Sequence, residues 1–237
     1  INFPSFKIEI GDNAFTQCYI ILAKECIKNG IYKSILTKEI MESQNDPEYQ
    51  YNMGNVFLGK IYYEDIKRNV RGAIYYYTES ARQNHLKAQN MLGHIYYDGE
   101  YIEKNIDKAI RYFSLAADQN DSNSQFYLGE IYYDGEQVEK DIDKAIYYFS
   151  QAANQNNSNS QFYLGQIYYD GEYVEKNIYN AIHYFSLASN QNHLKAQSML
   201  GHIYYDGEYV EKNINKAIYY FSLAADQNDS NSQFYLG

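Results

Sequence analysis

The sequence is poor in the residues that define several classes of protein. It has no tryptophan, two prolines and two cysteines in 237 residues. In a segment with helical spacing, Cys18 and Cys26 lie about 12 Å apart along the helix axis, which is too far for a disulfide bond. The sequence therefore lacks a disulfide framework. Two reduced thiols favour an intracellular protein, and we expect a cytoplasmic location.

Basic residues and long apolar runs are also scarce. Lysine and arginine number 20 against 30 aspartates and glutamates, and the formal net charge is −10. Nucleic acids and anionic membrane surfaces attract clustered basic residues, so neither is an expected partner. The longest apolar stretches, such as CYIILA at 18–23, are far shorter than the roughly 20 residues that span a bilayer. We therefore expect no membrane insertion.

Tyrosine, in contrast, is abundant, with 30 copies. A tyrosine ring can pack against apolar groups while its hydroxyl stays hydrated or hydrogen-bonded. Such residues suit a half-buried surface that faces a ligand.

A repeat of 36 residues organises most of the chain. The pair LG precedes an aromatic pair at this interval, and its glycines are Gly93, Gly129, Gly165, Gly201 and, at the end of the chain, Gly237. An earlier copy at Gly59 is two residues shorter in its turn, and residues 84–129 match residues 192–237 with four differences. A fixed period of this length is typical of a solenoid.

Two amphipathic helices are predicted in each repeat. In helix A of the third repeat, Phe126 or Leu128, Ile131 and Tyr132 have helical spacing. Helix B carries the stripe Ile142, Ala145, Ile146, Phe149, Ala152 and Ala153. We expect the small residues Gly129 and Ala145 to let the two helices approach closely, so that Gly129→Leu destabilises the fold. Glu130→Ala is expected to leave the melting temperature nearly unchanged.

The ends of helix B are marked by capping residues. Its N-caps are predicted at Asn105, Asp141, Asn177 and Asn213. Asparagine tolerates the left-handed conformation that closes a helix, so the C-terminal turns are predicted at Asn120, Asn156, Asn192 and Asn228.

The motif A-x3-LG-x2-Y-x2-G-x2-[IV]-x2-N-x2-KA-x2-YF-x2-AA at 88–117 resembles the Sel-one-like repeat (SLR), a branch of the tetratricopeptide (TPR) superfamily. The resemblance covers about 50–237. It implies an all-α fold, an α-solenoid (superhelix) of antiparallel hairpins of helix A and helix B. The sequence departs from the family at the second turn glycine, which is Tyr101, Gln137, Tyr173 and Tyr209. It also departs at the helix B tryptophan, which is Tyr112, Tyr148, Tyr184 and Tyr220.

Three segments are predicted along the chain. Residues 1–12 are a linker or the end of an upstream domain, and 13–45 are an N-terminal helical capping hairpin, which a solenoid end needs because it exposes a core face. Residues 46–237 are the repeat domain, with five repeats and a truncated sixth. The chain begins at Ile1 and ends inside the repeat motif, so we expect further sequence beyond it.

The resemblance also implies a binding groove. In a TPR-like array the A helices line the concave side, and the matching positions here are Tyr97, Tyr133, Tyr169 and Tyr205, followed by Asp98, Asp134, Asp170 and Asp206. One helical turn earlier, the varied residues His94, Glu130, Gln166 and His202 are the predicted specificity positions; Lys60, Tyr63 and Glu64 correspond in the first repeat. Alternatively, the tyrosines only pack between neighbouring A helices, and the aspartates merely precede turn glycines.

Helix packing distances predict a groove of about 40–50 Å, long enough for an extended peptide of about 12–15 residues. An extended basic or polar segment would suit its aromatic and acidic lining. Each of the four DGExxEK loops has a net charge of −2, and together they account for −8 of the total of −10. These loops lack the alternating ligands of a calcium loop and are interpreted as a solvated edge.

The predicted function is therefore a non-enzymatic scaffold or adaptor that binds a protein or an extended peptide as a monomer, without metal or cofactor. The five histidines, His85, His94, His183, His193 and His202, occur without a metal-binding or nucleophile motif. One alternative is a regulatory or targeting repeat domain of a larger enzyme, such as a kinase. Another is a secreted hydrolase-like SLR protein, although such proteins carry a cysteine pair in each repeat and these repeats have none.

Overall fold

A computed structural model describes residues 45–59 and 66–237 of the chain, which contain eleven α-helices and no strand. The predicted linker at 1–12 and nearly all of the predicted capping hairpin at 13–45 lie outside the described residues. The same is true of Cys18, Cys26, Lys60, Tyr63 and Glu64.

The helices alternate between the two predicted types. The A helices are α1 (Pro47–Gly59), α3 (Leu86–Asp98), α5 (Ser122–Asp134), α7 (Ser158–Asp170), α9 (Leu194–Asp206) and α11 (Ser230–Leu236). The B helices are α2 (Ile66–Arg82), α4 (Ile106–Ala117), α6 (Ile142–Asn154), α8 (Ile178–Ser189) and α10 (Ile214–Ala225). The α-solenoid class predicted for the chain is confirmed.

The predicted N-caps of helix B are present. The Asp141 carboxylate accepts a hydrogen bond from the Lys144 backbone N–H at 3.0 Å, and Asn177 accepts one from Asn180 in the same way. Each bond satisfies one of the backbone donors that a helix start leaves unpaired. Equivalent caps are formed by Asn105 and Asn213.

Helix B ends in the same turn at every junction between repeats. After α4, the Asn120 N–H donates to the carbonyl of Ala117 at 2.8 Å, and the Asp121 N–H donates to that of Ala116 at 3.1 Å. This pair of bonds is the Schellman motif, which needs a left-handed residue. Asparagine supplies it each time, with φ between 60° and 66° at Asn84, Asn120, Asn156, Asn192 and Asn228. The predicted left-handed asparagines are therefore confirmed.

The described residues form two compact units, one up to residue 112 (the 1–112 unit) and one from residue 113 to residue 237, and each has a core of the same kind. In the second unit, the fully buried Ala145 and Phe149 of α6 pack with Phe126 of α5 and with Leu164 and Ile167 of α7. A B helix thus fills the space between its own A helix and the next one. Complete burial of a phenylalanine side chain such as Phe149 contributes about 2–3 kcal/mol.

A chain of buried glutamine side chains runs through these junctions. Gln161, which is 1% exposed, donates to the carbonyl of Ala153 in the preceding repeat at 3.2 Å. Its own side-chain oxygen accepts from Gln191 at 2.7 Å, at the end of the same repeat. Gln197 and Gln227 repeat the arrangement at 2.7 Å. None of the described helices is long and apolar enough to cross a membrane.

Candidate protein-interaction face

Each predicted groove tyrosine lies at the C-terminal end of an A helix. The following aspartate is the last helical residue, and the glycine after it has a left-handed backbone, with φ of 66° or 67° at Gly99, Gly135, Gly171 and Gly207. A Cβ atom at Gly135 would lie 2.5 Å from the Cβ atom of Lys140, so the turn also requires glycine for space. All four aspartates are exposed.

Tyr133 of α5 is half-buried against its neighbours. Its ring centroid lies 5.5 Å from that of Tyr163, on the next A helix, and 6.3 Å from that of Phe149. Burial raises the pKa of Tyr133, and the nearby Asp170 carboxylate raises it further. Tyr133 therefore packs between A helices and still faces an acidic group, so the two interpretations of these tyrosines are compatible. That they bind a partner stays a prediction.

The predicted specificity position Glu130 has a structural contact. Its carboxylate accepts a hydrogen bond at 3.2 Å from the hydroxyl of Tyr163 in the next repeat. Burial raises the pKa of Tyr163, and Glu130 adds to the increase because a negative charge opposes ionisation of the phenol. The expectation that Glu130→Ala is neutral overlooked this bond between repeats.

Asp170 and Gln166 of α7 also interact. Burial raises the pKa of Asp170, whereas Lys176 and a hydrogen bond from Gln166 lower it. The net shift of the Asp170 pKa is upward, although the residue as a whole is exposed.

The corresponding residues of α9, His202 and Tyr205, contact aromatic rings. The ring of His202 lies edge-on to Phe221 at 5.1 Å and to Tyr235 at 4.9 Å, between ring centroids. Tyr205 is 39% exposed and lies 5.2 Å from Tyr235. In the 1–112 unit, Tyr97 and His94 are half-buried, and Asp98 is exposed.

Lysines of the DGExxEK loops lie over the predicted groove tyrosines, which the sequence analysis did not foresee. The Nζ atom of Lys140 is 5.5 Å from the ring centroid of Tyr133, and that of Lys176 is 5.4 Å from Tyr169. The corresponding distances are 4.9 Å for Lys104 over Tyr97 and for Lys212 over Tyr205. In the sequence, this contact is indicated only by the constant spacing of the two residues, because the loop lysine always follows the tyrosine by seven positions.

A second set of tyrosines faces outward from the B helices. Tyr147 and Tyr219 are each 58% exposed, and the exposed His183 takes the same position in the repeat between them. Behind them, the residue that replaces the helix B tryptophan stacks on a tyrosine of helix A, as in Tyr132–Tyr148 at 6.1 Å and 6°. These outward residues provide a comparison surface on the same chain.

Two histidines have structural positions. The Nδ1 atoms of His85 and His193 accept hydrogen bonds from the N–H groups of Ala88 and Ala196, and each residue caps an A helix. Among the described residues, no three or more histidine, cysteine, aspartate or glutamate side chains are grouped so as to hold a metal ion.

This fold and its repeated junctions define an α-solenoid of helical hairpins. The sequence profile of the Sel1 repeat matches residues 47–85, 86–121, 122–157, 158–193 and 194–229. The chain therefore belongs to the Sel1 repeat family, and the resemblance noted from the sequence is confirmed. Proteins of this family generally act as protein-interaction scaffolds and are typically non-catalytic.

Two solved structures illustrate the similarity. A Sel1 repeat protein from Oxalobacter formigenes has a TM-score of 0.70 and 25% identity, over 93% of this chain and 86% of that one. The protein c5321, a protective antigen of uropathogenic Escherichia coli with an SLR fold, has a TM-score of 0.74 and 27% identity. The latter match covers 92% of this chain but 47% of c5321. No curated protein sequence matches this chain.

Proposed function

We propose that this chain is a non-enzymatic scaffold whose A helices bind an extended, basic segment of a partner protein. The observation that carries the proposal is the arrangement on α5 and α7. There, half-buried tyrosines alternate with carboxylates across the boundary between two repeats, and the pairs are Glu130 with Tyr163 and Tyr133 with Asp170.

Such a face suits a cationic segment for two reasons. A tyrosine ring offers apolar contact area and attracts a cation over its face. The adjacent carboxylates give a charge-assisted hydrogen bond to an incoming lysine or arginine. Asp170 supports this role because it is exposed and lies close enough to Tyr133 to raise the pKa of that phenol.

The proposed role is binding rather than catalysis, because the titratable groups of the face serve in packing and in contacts between repeats. Glu130 is bonded to Tyr163, and His202 is packed between Phe221 and Tyr235. Neither is arranged as a general base beside a nucleophile. We also expect the chain to be a monomer, which light scattering after size-exclusion chromatography would test.

The proposal is tested with three forms of the protein. The wild type is compared with a Tyr133→Ala, Tyr169→Ala variant, and a Tyr147→Ala, Tyr219→Ala variant is the matched control. The control removes two tyrosines that are 58% exposed on the B helices. Circular dichroism verifies that all three forms are folded.

Binding is then measured by fluorescence anisotropy with lysine-rich peptides of 12–15 residues, about the length that the sequence predicts for the groove. The same peptides with acetylated lysines serve as neutral controls. We expect the unmodified peptides to bind to the wild type and to the Tyr147, Tyr219 variant, and to lose affinity for the Tyr133, Tyr169 variant. Equal affinity for all three forms, or no dependence on lysine charge, would overturn the proposal.

A further inference from the structure

Two clefts between tyrosines of successive repeats each hold a lysine side chain of the protein itself. At the first, the Nζ atom of Lys140 lies 5.5 Å from the ring centroid of Tyr133 and 5.0 Å from that of Tyr173. It also donates a hydrogen bond at 3.2 Å to the Tyr173 hydroxyl. The lysine therefore contacts both rings, one from its own repeat and one from the next loop.

The second cleft has the same kind of occupant, but its two rings are in edge-to-face contact, with ring centroids 6.5 Å apart and an interplanar angle of 83°. The Nζ atom of Lys176 is 5.4 Å from the ring centroid of Tyr169 and 4.2 Å from that of Tyr209, and donates to the Tyr209 hydroxyl at 3.0 Å. At both sites the lysine contacts one ring of its own repeat and one ring of the next loop.

The outer wall of each cleft departs from the family pattern. Tyr173 and Tyr209 stand where the family resemblance leads one to expect the second glycine of the turn. They are 44% and 42% exposed, so each ring is covered only in part. The equivalent residue of the third repeat is the exposed Gln137, which has no ring. This natural difference supplies a conservative substitution that removes the wall.

The surroundings of the clefts are acidic and open. The sequence places Asp170 and Glu172 beside Tyr173, and Asp206 and Glu208 beside Tyr209, and these acids contribute to the raised pKa values of Tyr133 and Tyr169. An open space of about 590 Å³ is lined by Tyr132, Tyr173 and residues 138–144, which include Lys140. The outer wall of the first cleft, Tyr173, and the lysine that occupies it therefore border open space.

From this geometry we infer that the Tyr133–Tyr173 and Tyr169–Tyr209 clefts are binding sites for lysine side chains of a partner, and that Lys140 and Lys176 are internal occupants which a partner lysine replaces. The inference rests on the proposed binding of a basic segment. A primary ammonium is the matching ligand, because it can both face the rings and donate to the phenol oxygen, as the internal lysines do.

Replacement is feasible because the internal contact is weak. An exposed ammonium–ring contact corresponds to about a two- to five-fold change in an equilibrium constant. The internal lysine competes with the ligand for the same two rings, so its removal is expected to strengthen binding. A lysine that merely held the loop in place would give the opposite result on removal.

The test uses Lys140→Met and Lys176→Met together, which keep most of the side-chain stem and vacate both clefts. Lys108→Met with Lys216→Met is the matched control, since it removes the same charge from lysines that lie over the single rings of Tyr96 and Tyr204. The probes are Nα-acetyl-lysine methylamide and a lysine-rich peptide. The ring signals of Tyr173 and Tyr209 are followed by NMR and are assigned with Tyr173→Gln and Tyr209→Gln.

We expect the small probe to shift both ring signals saturably, with an affinity about two- to five-fold higher in the variant with vacated clefts than in the wild type or the control. If the signals do not move, or if the affinity is not raised, the inference is wrong. Peptide binding by the wild type in the anisotropy assay would in that case still support the proposed function. If the signals move but no peptide binds, the clefts are supported and the proposed function fails.

Discussion

The ring of Phe149 lies directly against Gly129, and a Cβ atom at position 129 would be 2.5 Å from Phe149 Cδ1. Gly129→Leu must therefore separate α5 from α6, and we expect it to lower the free energy of unfolding by about 3 kcal/mol. Urea denaturation measures the change. Asn123→Ala, on the exposed side of α5, is the control and should stay within about 0.5 kcal/mol of the wild type. Equal losses in the two variants would refute the assigned faces of α5.

Glu130 links two repeats through the hydroxyl of Tyr163. Glu130→Ala is expected to lower the free energy of unfolding by about 1 kcal/mol, because it leaves this half-buried hydroxyl without its acceptor. Glu130→Gln retains an acceptor and should lose less. The measurement is a double-mutant cycle with Tyr163→Phe. If Glu130→Ala costs as much in the Tyr163→Phe background as in the wild type, the bond does not contribute.

The histidine cap of α9 predicts a pH dependence. His193 stacks on Phe162 at 4.8 Å, and burial, aided by Lys195, lowers its pKa. The unfolded chain then takes up the proton more readily than the folded one. The contribution of His193 is therefore complete above about pH 6.5, the ordinary pKa of histidine, and is lost as the pH falls further.

His193→Asn tests this dependence, because asparagine caps the equivalent helix at Asn157. We expect the free energy of unfolding of this variant to fall less between pH 7.5 and pH 5 than that of the wild type, in chemical denaturation at each pH. His183→Asn, which changes an exposed histidine, should follow the wild-type curve. Parallel curves for all three proteins would contradict the role of His193.

Alanine substitutions of Ser160 and Asn157, at the start of α7, are expected to change the free energy of unfolding in opposite directions. The hydroxyl of Ser160 is fully buried and has no hydrogen-bond partner among the described residues. Two other repeats have alanine at this position, Ala88 and Ala196. Ser160→Ala should therefore raise the free energy of unfolding, by up to about 1 kcal/mol. Asn157→Ala removes the cap of the same helix and should lower it by about 1 kcal/mol. Thermal denaturation of both variants compares them, and a loss in Ser160→Ala would mean that its hydroxyl is satisfied.

The helices and their ends could be predicted because they depend on local sequence. The stripe that includes Ala145 and Phe149 is buried as its spacing indicates, and each predicted cap of helix B is formed. These features need only the periodicity of one helix and the side chain at its end. The repeat then supplied several copies of each signal, so that chance matches were easily recognised.

Contacts between repeats were not predictable in the same way. The Glu130–Tyr163 bond joins residues 33 positions apart, and it depends on which side of α5 faces α7. Glutamine is usually a surface residue, so the sequence did not indicate that Gln161 is buried. Its burial depends on the hydrogen bond that it donates to the carbonyl of Ala153, at the end of the preceding B helix. The loop lysines likewise looked like part of a solvated edge. Their contact with two rings requires the distance between successive loops, which the sequence alone does not provide.

Because every repeat ends in the same turn, one repeat can follow another without a change in the junction between them. Each Schellman turn is built by its own asparagine, and the residue after it already caps the next helix, as Asp121 does for α5. Insertion or deletion of a whole repeat therefore recreates the same joint, and the first repeat, whose length differs, also ends in this turn at Asn84. The near-copy of 84–129 at 192–237 is the record of such an event. A change in repeat number thus alters the length of the array without a change in the chemistry of any single repeat.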